Sequence, residues 1–223
     1  MNKNIKNIVF DLGGVLMNFD FEGAATMFQQ MGLAPEGADK TNAQLGQYGR
    51  QVAELINSFI NGFIDTKKFA SLLQPHCKQN IPAEIIAQKL ESLDGDIPHN
   101  RLAMLKKLRE THKVILLSNI NQPMWEKTLS ILKREGFDCK DCFDNVFLSY
   151  KLKMAKPDPA IYRKMIDDCN IAVQETIYFD DLPENIETGT KIGLVSSLVE
   201  QNRLEQNPDF INLVKQTVYK LLT

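Results

Sequence analysis

The sequence predicts a parallel α/β fold with a helical domain inserted after the first strand. Three observations lead to this prediction. Short apolar runs rich in β-branched residues recur along the chain and end in polar residues. Segments with helical spacing of apolar residues separate these runs, which is typical of parallel strands joined by right-handed crossovers. One long stretch near the N-terminus interrupts the alternation, because its apolar residues recur only at helical spacing.

Five apolar runs are the predicted strands, and they cover residues 8–10, 114–117, 146–148, 177–179 and 194–195. Helical spacing lies between them and at the C-terminus, as in Leu102, Leu105 and Leu108, in Ile161, Met165 and Cys169, and in Phe210, Val214 and Val218. Strands and helices that alternate in this way predict a Rossmann-like sheet with helices on both faces. We assign this core to residues 1–16 and 97–223.

The inserted stretch, residues 17–96, is predicted to be an all-helical cap domain. Asp20 is placed to cap its first helix. Four helices are marked by apolar residues at helical spacing: Phe21, Ala25 and Phe28; Val52, Leu55, Ile56, Phe59 and Phe63; Phe69, Leu72 and Leu73; Ile85, Ile86 and Leu90.

Composition excludes several classes of protein. The chain has 223 residues, 43% of them hydrophobic, and 26 Lys and Arg against 28 Asp and Glu. A net charge of -2 without a basic tail argues against nucleic acid as the main partner. No apolar run approaches the roughly 20 residues of a membrane helix, and the N-terminus lacks the pattern of a secretory signal, so we expect a cytoplasmic protein.

The four cysteines are too few and too unevenly placed for a disulfide framework, so we expect free thiols. Cys139 and Cys142 have CxxC spacing, but no second pair completes a zinc site, and packing residues are the simpler interpretation. We assign no role to the histidines, which lie away from every motif: His76, His99 and His112.

Polar residues follow the predicted strands. Asp11 follows the first, Ser118 the second, and Asp180 and Asp181 a later one, while Lys156 lies in a Lys-Pro-Asp-Pro segment. Each could be a turn or capping residue if taken alone. Taken together at the carboxyl ends of parallel strands, the carboxylates suit Mg²⁺, and the hydroxyl and ammonium groups suit a phosphate.

These residues carry a resemblance to the haloacid dehalogenase superfamily, which is dominated by Mg²⁺-dependent phosphatases. The matching motifs are the strand and aspartate of residues 8–15, the serine of residues 116–119, the lysine of residues 156–159 and the acidic pair of residues 178–181. The inserted helices resemble the small cap of this superfamily. Residues 57–65 are similar to a cap segment of its branch of sugar phosphatases and epoxide-hydrolase N-domains.

The resemblance implies that Asp11 attacks phosphorus and forms an aspartyl-phosphate, which water then hydrolyses. It also implies a Mg²⁺ site made by the Asp11 carboxylate, the Gly13 carbonyl and the Asp181 carboxylate. Asp180 is assigned to an outer or water-mediated contact with the metal.

Phosphate binding is implied for Ser118 and Lys156, which would hold the phosphoryl oxygens. Backbone N–H groups add further expected donors, namely those of Leu12, Gly13 and Asn119.

One position departs from the family pattern. Most of these phosphatases have a second aspartate two residues after the nucleophile, and this chain has Gly13 there. Without that acid, phosphates with poor leaving groups should react about 10²–10⁴-fold more slowly. The rate for anomeric sugar phosphates should fall less, because their leaving group is better. Sugar-1-phosphatase-like members of the branch also have a glycine here. Asp20 and Glu22 are the nearest candidates to replace the acid, but both are equally explained by the start of a helix.

The function expected from these features is Mg²⁺-dependent hydrolysis of a small phosphorylated metabolite, most simply a sugar phosphate. Two alternatives remain at this point: a metal-free 2-haloacid dehalogenase, and a catalytically impaired module that binds a phosphorylated ligand or a protein. A phosphosugar mutase fits less well, because those members depend on the missing aspartate. The sequence leaves open which cap residues face the substrate among Tyr48, Arg50, Asn57 and Asn61.

Overall fold

The computed structural model describes residues 4–33, 47–77, 80–93 and 95–222. The first part of the chain contains β1 (Asn7–Phe10), β2 (Asn18–Phe19), α1 (Phe21–Gln30), α2 (Gln47–Ile60), α3 (Thr66–Leu73), α4 (Ala83–Glu91) and β3 (Gly95–Asp96). The second part contains α5 (His99–Leu108), β4 (Lys113–Ser118), α6 (Gln122–Arg134), α7 (Cys139–Cys142), β5 (Asn145–Leu148), α8 (Ser149–Leu152), α9 (Pro159–Cys169), β6 (Thr176–Asp180), α10 (Pro183–Ile192), β7 (Val195–Leu198) and α11 (Pro208–Leu222).

The five predicted strands form one parallel sheet in the order β5-β4-β1-β6-β7. β1 is therefore the central strand. Phe10 lies opposite Leu116 of β4 and Phe179 of β6, and the backbone N–H of Asp11 donates to the carbonyl of Phe179 at 2.9 Å. This register places Asp11 beside the end of β6, at the carboxyl edge of the sheet.

Both faces of the sheet are buried, as expected for parallel strands connected by helices. In β1 the side chains alternate: Ile8 and Phe10 join an apolar cluster with α5, α6 and α11, and Val9 joins a second cluster with α9. All three side chains are fully buried. The prediction of helices on both faces is confirmed.

The inserted segment has an apolar core of its own, formed by residues of α1 to α4, in which the rings of Phe59 and Phe69 stack with centroids 4.4 Å apart. Asp20 caps α1 as predicted, accepting the N–H of Gly23 at 2.8 Å. We propose on this basis that residues 17–96 form a separate cap domain on a core of residues 1–16 and 97–223.

The insertion differs from the prediction in two details. Its ends are joined by a two-residue antiparallel pair, in which Asn18 lies opposite Asp96 and Phe19 opposite Gly95. α2 ends at Ile60, so Phe63 lies beyond it, after a turn in which Gly62 adopts a φ of 69°. Two-residue strands have no detectable period, and a left-handed glycine ends a helix whatever apolar residues follow.

The four cysteines are free thiols, and Cys142 is packed against the sheet core. Among the described residues, no helix has both the length and the apolar character needed to cross a membrane.

Candidate active site

Three carboxylates meet where β1 and β6 end side by side. Asp11 follows β1 directly, Asp180 is the last residue of β6, and Asp181 comes next. Each can offer a carboxylate oxygen such that these atoms all lie within 4.8 Å of one another. The register of the sheet creates this cluster, because it sets residues far apart in sequence at the same edge.

Lys156 is the counter-charge of the cluster. Its Nζ lies 2.9 Å from Asp11 Oδ1 and 2.6 Å from Asp180 Oδ2, and the residue is only 4% exposed. The backbone of Lys156 is held by the side chain of Asn119, which accepts its N–H and donates to its carbonyl, both at 2.8 Å. The amide of Asn119 is thus used for positioning Lys156, and its backbone N–H stays the candidate phosphate donor.

Asp180 is fully buried, and both of its oxygens are occupied by donors from the protein. Oδ2 accepts from Lys156 and from the hydroxyl of Tyr178. Oδ1 accepts from the N–H of Leu182 and from Nδ2 of Asn185, each at 2.9 Å. A carboxylate with four such donors has little capacity left for a direct contact with a metal.

Burial and mutual repulsion perturb the ionisation of the cluster. Burial raises the pKa of Asp11 to about 7; Lys156 lowers it, but repulsion from Asp180 adds to the increase. Burial, with repulsion from Asp180, likewise raises the pKa of Asp181 to about 6. Burial alone would lower the pKa of Lys156, but attraction to Asp11 and Asp180 raises it above its ordinary value. The site therefore holds more negative charge than one lysine neutralises.

The donor set fits a hard divalent cation such as Mg²⁺. Asp11 Oδ1 is buried, and apart from its ion pair with Lys156 Nζ at 2.9 Å it has no partner among the described residues. Asp181 Oδ2 accepts an exposed hydrogen bond from Nε2 of Gln201 at 3.0 Å. Oxygen ligands with unused lone pairs and excess negative charge are what Mg²⁺ prefers.

Two glycines after Asp11 shape this edge of the site. Gly14 has a φ of 77°, and a Cβ added to it would lie 2.5 Å from Asp181 Oδ2. Only glycine lets the backbone approach that carboxylate so closely. A Cβ added to Gly13 would meet no atom within 4 Å. The position that the Cβ of an aspartate would take is therefore open.

The other predicted residues have these positions. Ser118 is the last residue of β4 and is 2% exposed. The carboxylate of Asp20 is used to cap α1, and Glu22 is exposed in the first turn of that helix. Both observations favour the helix-start role for these two acids over the role of a replacement acid.

The four cap residues that the sequence left open do not behave alike. The side chain of Tyr48 lies outside the described residues. Arg50 and Asn57 are exposed on α2, and Asn61 is half-buried. Next to Asn61, a cleft of about 570 Å³ opens between cap and core, and it is lined by Gly62, Phe63, Ile64, Asp65, Thr66, Lys67, Asn121, Gln122, Pro123, Glu126, Tyr150 and Lys153.

Sequence reasoning missed the residues that hold Asp180. Tyr178 could have been found, because residues two apart in a strand point to the same face. Asn185 carries no comparable signal: it is buried in α10, and only the packing of that helix against β6 brings it to Asp180. The hydroxyl of Tyr162 continues the network, 3.4 Å from that of Tyr178.

Comparison with known proteins identifies the family. The family model of the haloacid dehalogenase-like hydrolases matches residues 5–193. The chain is 31% identical over 190 residues to D-ribitol-5-phosphate phosphatase of Bacteroides thetaiotaomicron, covering 85% of this chain and 89% of that one.

Solved structures agree with this relationship. A HAD family enzyme from Bacteroides thetaiotaomicron matches with a TM-score of 0.75 and 29% identity over 90% of this chain and 96% of its own. Structures of that enzyme include a complex with magnesium and a complex with magnesium and inorganic phosphate. A dehalogenase with 18% identity and a TM-score of 0.56, covering 94% of this chain and 90% of its own, shares the fold. The chain belongs to the haloacid dehalogenase-like hydrolases.

Proposed function

We propose that the protein is a Mg²⁺-dependent phosphatase that hydrolyses a small sugar or polyol phosphate. The observation that carries this proposal is the cluster of three carboxylates, buried Asp11 and Asp180 with half-buried Asp181, in which Lys156 pairs with the two buried ones. A phosphate with its metal is a ligand that such a cluster suits, because the cation offsets both the carboxylates and the phosphoryl oxygens. The phosphatase name of the relative and the magnesium complexes of the neighbour support the same activity.

The metal would be held by Asp11, the carbonyl of Gly13 and Asp181. Asp180 would not contact the metal directly, because its oxygens already accept four hydrogen bonds. Its task is to fix Lys156 and the start of α10. When bound, Mg²⁺ supplies charge stabilisation to the phosphoryl oxygens and orients the phosphate for in-line attack.

The protein groups then divide the reaction. Asp11 attacks phosphorus and forms an aspartyl-phosphate while the bond from phosphorus to the substrate oxygen breaks, and the leaving oxygen takes its proton from water. A second water then hydrolyses the aspartyl-phosphate, which frees Asp11 and inorganic phosphate. Ser118 and Lys156 hold the phosphoryl oxygens, assisted by the backbone N–H groups after Asp11 and at Asn119. Lys156 suits this role because attraction to two carboxylates keeps it protonated while it is buried.

The leaving group is where this chain should be selective. Gly13 offers no acid, Asp20 is used as a helix cap, and Glu22 is exposed in the first turn of α1, so none of these positions protonates the leaving oxygen in this proposal. Anomeric phosphates should therefore be hydrolysed faster than primary-alcohol phosphates of similar size. The relative is named for a primary-alcohol phosphate, ribitol 5-phosphate, which makes this compound the sharpest comparison substrate.

The test is phosphate release from a panel containing α-D-glucose 1-phosphate, ribose 5-phosphate and ribitol 5-phosphate, with and without Mg²⁺. Asp11→Asn is the matched variant, because it keeps the size of the side chain and removes the nucleophile. Release that depends on Mg²⁺ and is lost in the variant supports the proposal. Halide release from a 2-haloacid without Mg²⁺ would favour the dehalogenase instead. Absence of turnover on both would favour a binding module.

A further inference from the structure

The turn that follows β7 contacts both Asp181, a proposed metal ligand, and β2, the strand through which the chain enters the cap. Gln201 donates from Nε2 to Asp181 Oδ2 at 3.0 Å. The next residue, Asn202, donates its backbone N–H to the carbonyl of Gly14 at 2.7 Å. Gln201 therefore contacts the carboxylate cluster, and its neighbour Asn202 contacts the loop that follows Asp11.

The side chain of Asn202 makes a second, separate connection. Its Oδ1 accepts the N–H of Phe19, and its Nδ2 donates to the carbonyl of Phe19, both at 3.1 Å. An Asn amide can pair in both directions in this way because it carries both a donor and an acceptor. Phe19 belongs to β2, where the chain leaves the core for the cap, and it lies opposite Gly95, where the chain returns.

The backbone of Asn202 is suited to this position. Its φ of 63° is in the left-handed region, which Asn tolerates better than most residues. Arg203 and Glu200 close the turn with a backbone hydrogen bond of 2.9 Å and an ion pair of 2.7 Å. Both of these contacts lie within the turn itself.

The loop on the other side of the connection is also fixed. Arg101 is 3% exposed, and its Nη1 donates to the carbonyls of Val15 at 2.9 Å and Leu16 at 2.8 Å. Its guanidinium pairs with both carboxylate oxygens of Glu205 at 2.7 Å. Asn202 therefore joins β2 to a loop that is itself anchored to the core.

We infer that the turn has two separable positioning roles in the proposed reaction: Gln201 orients Asp181 for the metal, and Asn202 fixes the entry strand of the cap relative to the nucleophile loop. Neither residue touches reacting atoms in this scheme. The inference rests on the proposed function for its kinetic consequences. Its structural consequences, in amide exchange and in Mg²⁺ affinity, can be measured without any substrate.

The experiment compares Asn202→Gly with Gln201→Ala. Glycine keeps the left-handed backbone and removes only the amide group, so backbone strain is not a confounding factor. Asn170→Gly is the matched control, because Asn170 is also left-handed, at φ 49°, but is exposed at the end of α9. Readouts are hydrogen exchange at the N–H of Phe19, calorimetric Mg²⁺ affinity, and KM and kcat on the best substrate.

We expect Asn202→Gly to accelerate exchange at Phe19 and to raise KM about 2- to 10-fold, the effect of losing neutral hydrogen bonds, with Mg²⁺ affinity unchanged. Gln201→Ala should lower Mg²⁺ affinity about 10-fold and leave exchange at Phe19 unchanged. Asn202→Asp, a second variant, keeps the acceptor for Phe19 N–H and loses the donor, so it should protect that N–H more than Asn202→Gly does.

Three results would overturn the inference. Unchanged exchange at Phe19 in Asn202→Gly would show that the amide does not hold the entry strand. An equal loss of Mg²⁺ affinity in the Asn202 and Gln201 variants would show that the roles are not separable. The same changes in Asn170→Gly would show a general effect of losing a left-handed asparagine. If the natural protein releases no phosphate, the proposed function fails, while exchange and Mg²⁺ affinity still decide the inference.

Discussion

Replacing Gly14 by alanine should damage the candidate metal site directly. The added Cβ would lie 2.5 Å from Asp181 Oδ2 and 2.9 Å from Asp181 Cγ, closer than nonbonded atoms pack. The carboxylate is the easiest group to displace, because it is the end of a flexible side chain. Relief of the contact therefore moves a proposed metal ligand, and metal–ligand distances in proteins stay within about 0.2 Å of their usual values.

The expected magnitude follows from this geometry. Mg²⁺ affinity should fall about 10- to 100-fold, the range seen when the support of a metal ligand is lost. The metal-free protein should also lose stability, because alanine at a φ of 77° costs about 1–2 kcal/mol. For a chain of this length that corresponds to a decrease in Tm of about 2–8 °C.

Calorimetric titration with Mg²⁺ and thermal unfolding of the metal-free protein measure the two effects. Gly136→Ala is the matched control, because Gly136 has a similar φ of 83° and its added Cβ meets no atom within 4 Å. It should retain Mg²⁺ binding. Mg²⁺ affinity in Gly14→Ala equal to that of the natural protein would refute the proposed contact with Asp181. An equal loss of Mg²⁺ affinity in Gly136→Ala would show that the contact is not the cause.

Three further predictions follow from the same structure. Gly13→Asp should fold, because the added Cβ meets no atom within 4 Å, and it should raise phosphate release from ribitol 5-phosphate toward the about 10²–10⁴-fold benefit of a general acid. An unchanged rate with Mg²⁺ binding intact would contradict this. Gly62→Ala should move the turn after α2 away from the core, because the added Cβ would lie 2.1 Å from Tyr150 Cβ and the φ of 69° is unfavourable for alanine. Amide exchange across residues 61–64 should therefore increase if this turn packs against Tyr150. Mg²⁺ affinity should rise with pH and level off above about 7. The reason is that binding needs the deprotonated forms of Asp11, whose pKa is raised to about 7, and of Asp181, whose pKa is raised to about 6. Calorimetry at pH 5, 6, 7 and 8 checks the sign, and constant affinity from pH 5 to 7 would argue against metal binding by these residues.

Much of the core could be predicted from the sequence, because parallel strands buried on both faces must be short apolar runs. The runs at 8–10 and 177–179 correspond to β1 and β6, and the polar residues after them lie at the carboxyl edge as expected. The inserted helices were predictable for a similar reason, since each must bury one apolar side. The short β2–β3 pair was not, because two residues carry no period.

The residue types of the candidate site were also readable from the chain. Asp11, Ser118, Lys156 and the acidic pair at 180–181 stand at positions where the topology alone predicts convergence. A glycine two residues after Asp11 was visible in the same way. The close approach of its neighbour Gly14 to Asp181 could not be predicted, because it depends on the path of a separate strand.

Only the tertiary structure determined that Asp180 and Asp181 have different contacts. Adjacent aspartates have the same chemistry in the sequence, but β6 turns Asp180 inward to Lys156, Tyr178 and Asn185, and leaves Asp181 facing Gln201. The same holds for Asn202, whose partners precede it by more than 180 residues. The sequence determined which residues are available at the carboxyl edge, since burial and period are local properties. Packing between distant segments determined which lone pairs are already used, and hence which oxygens are available to a metal.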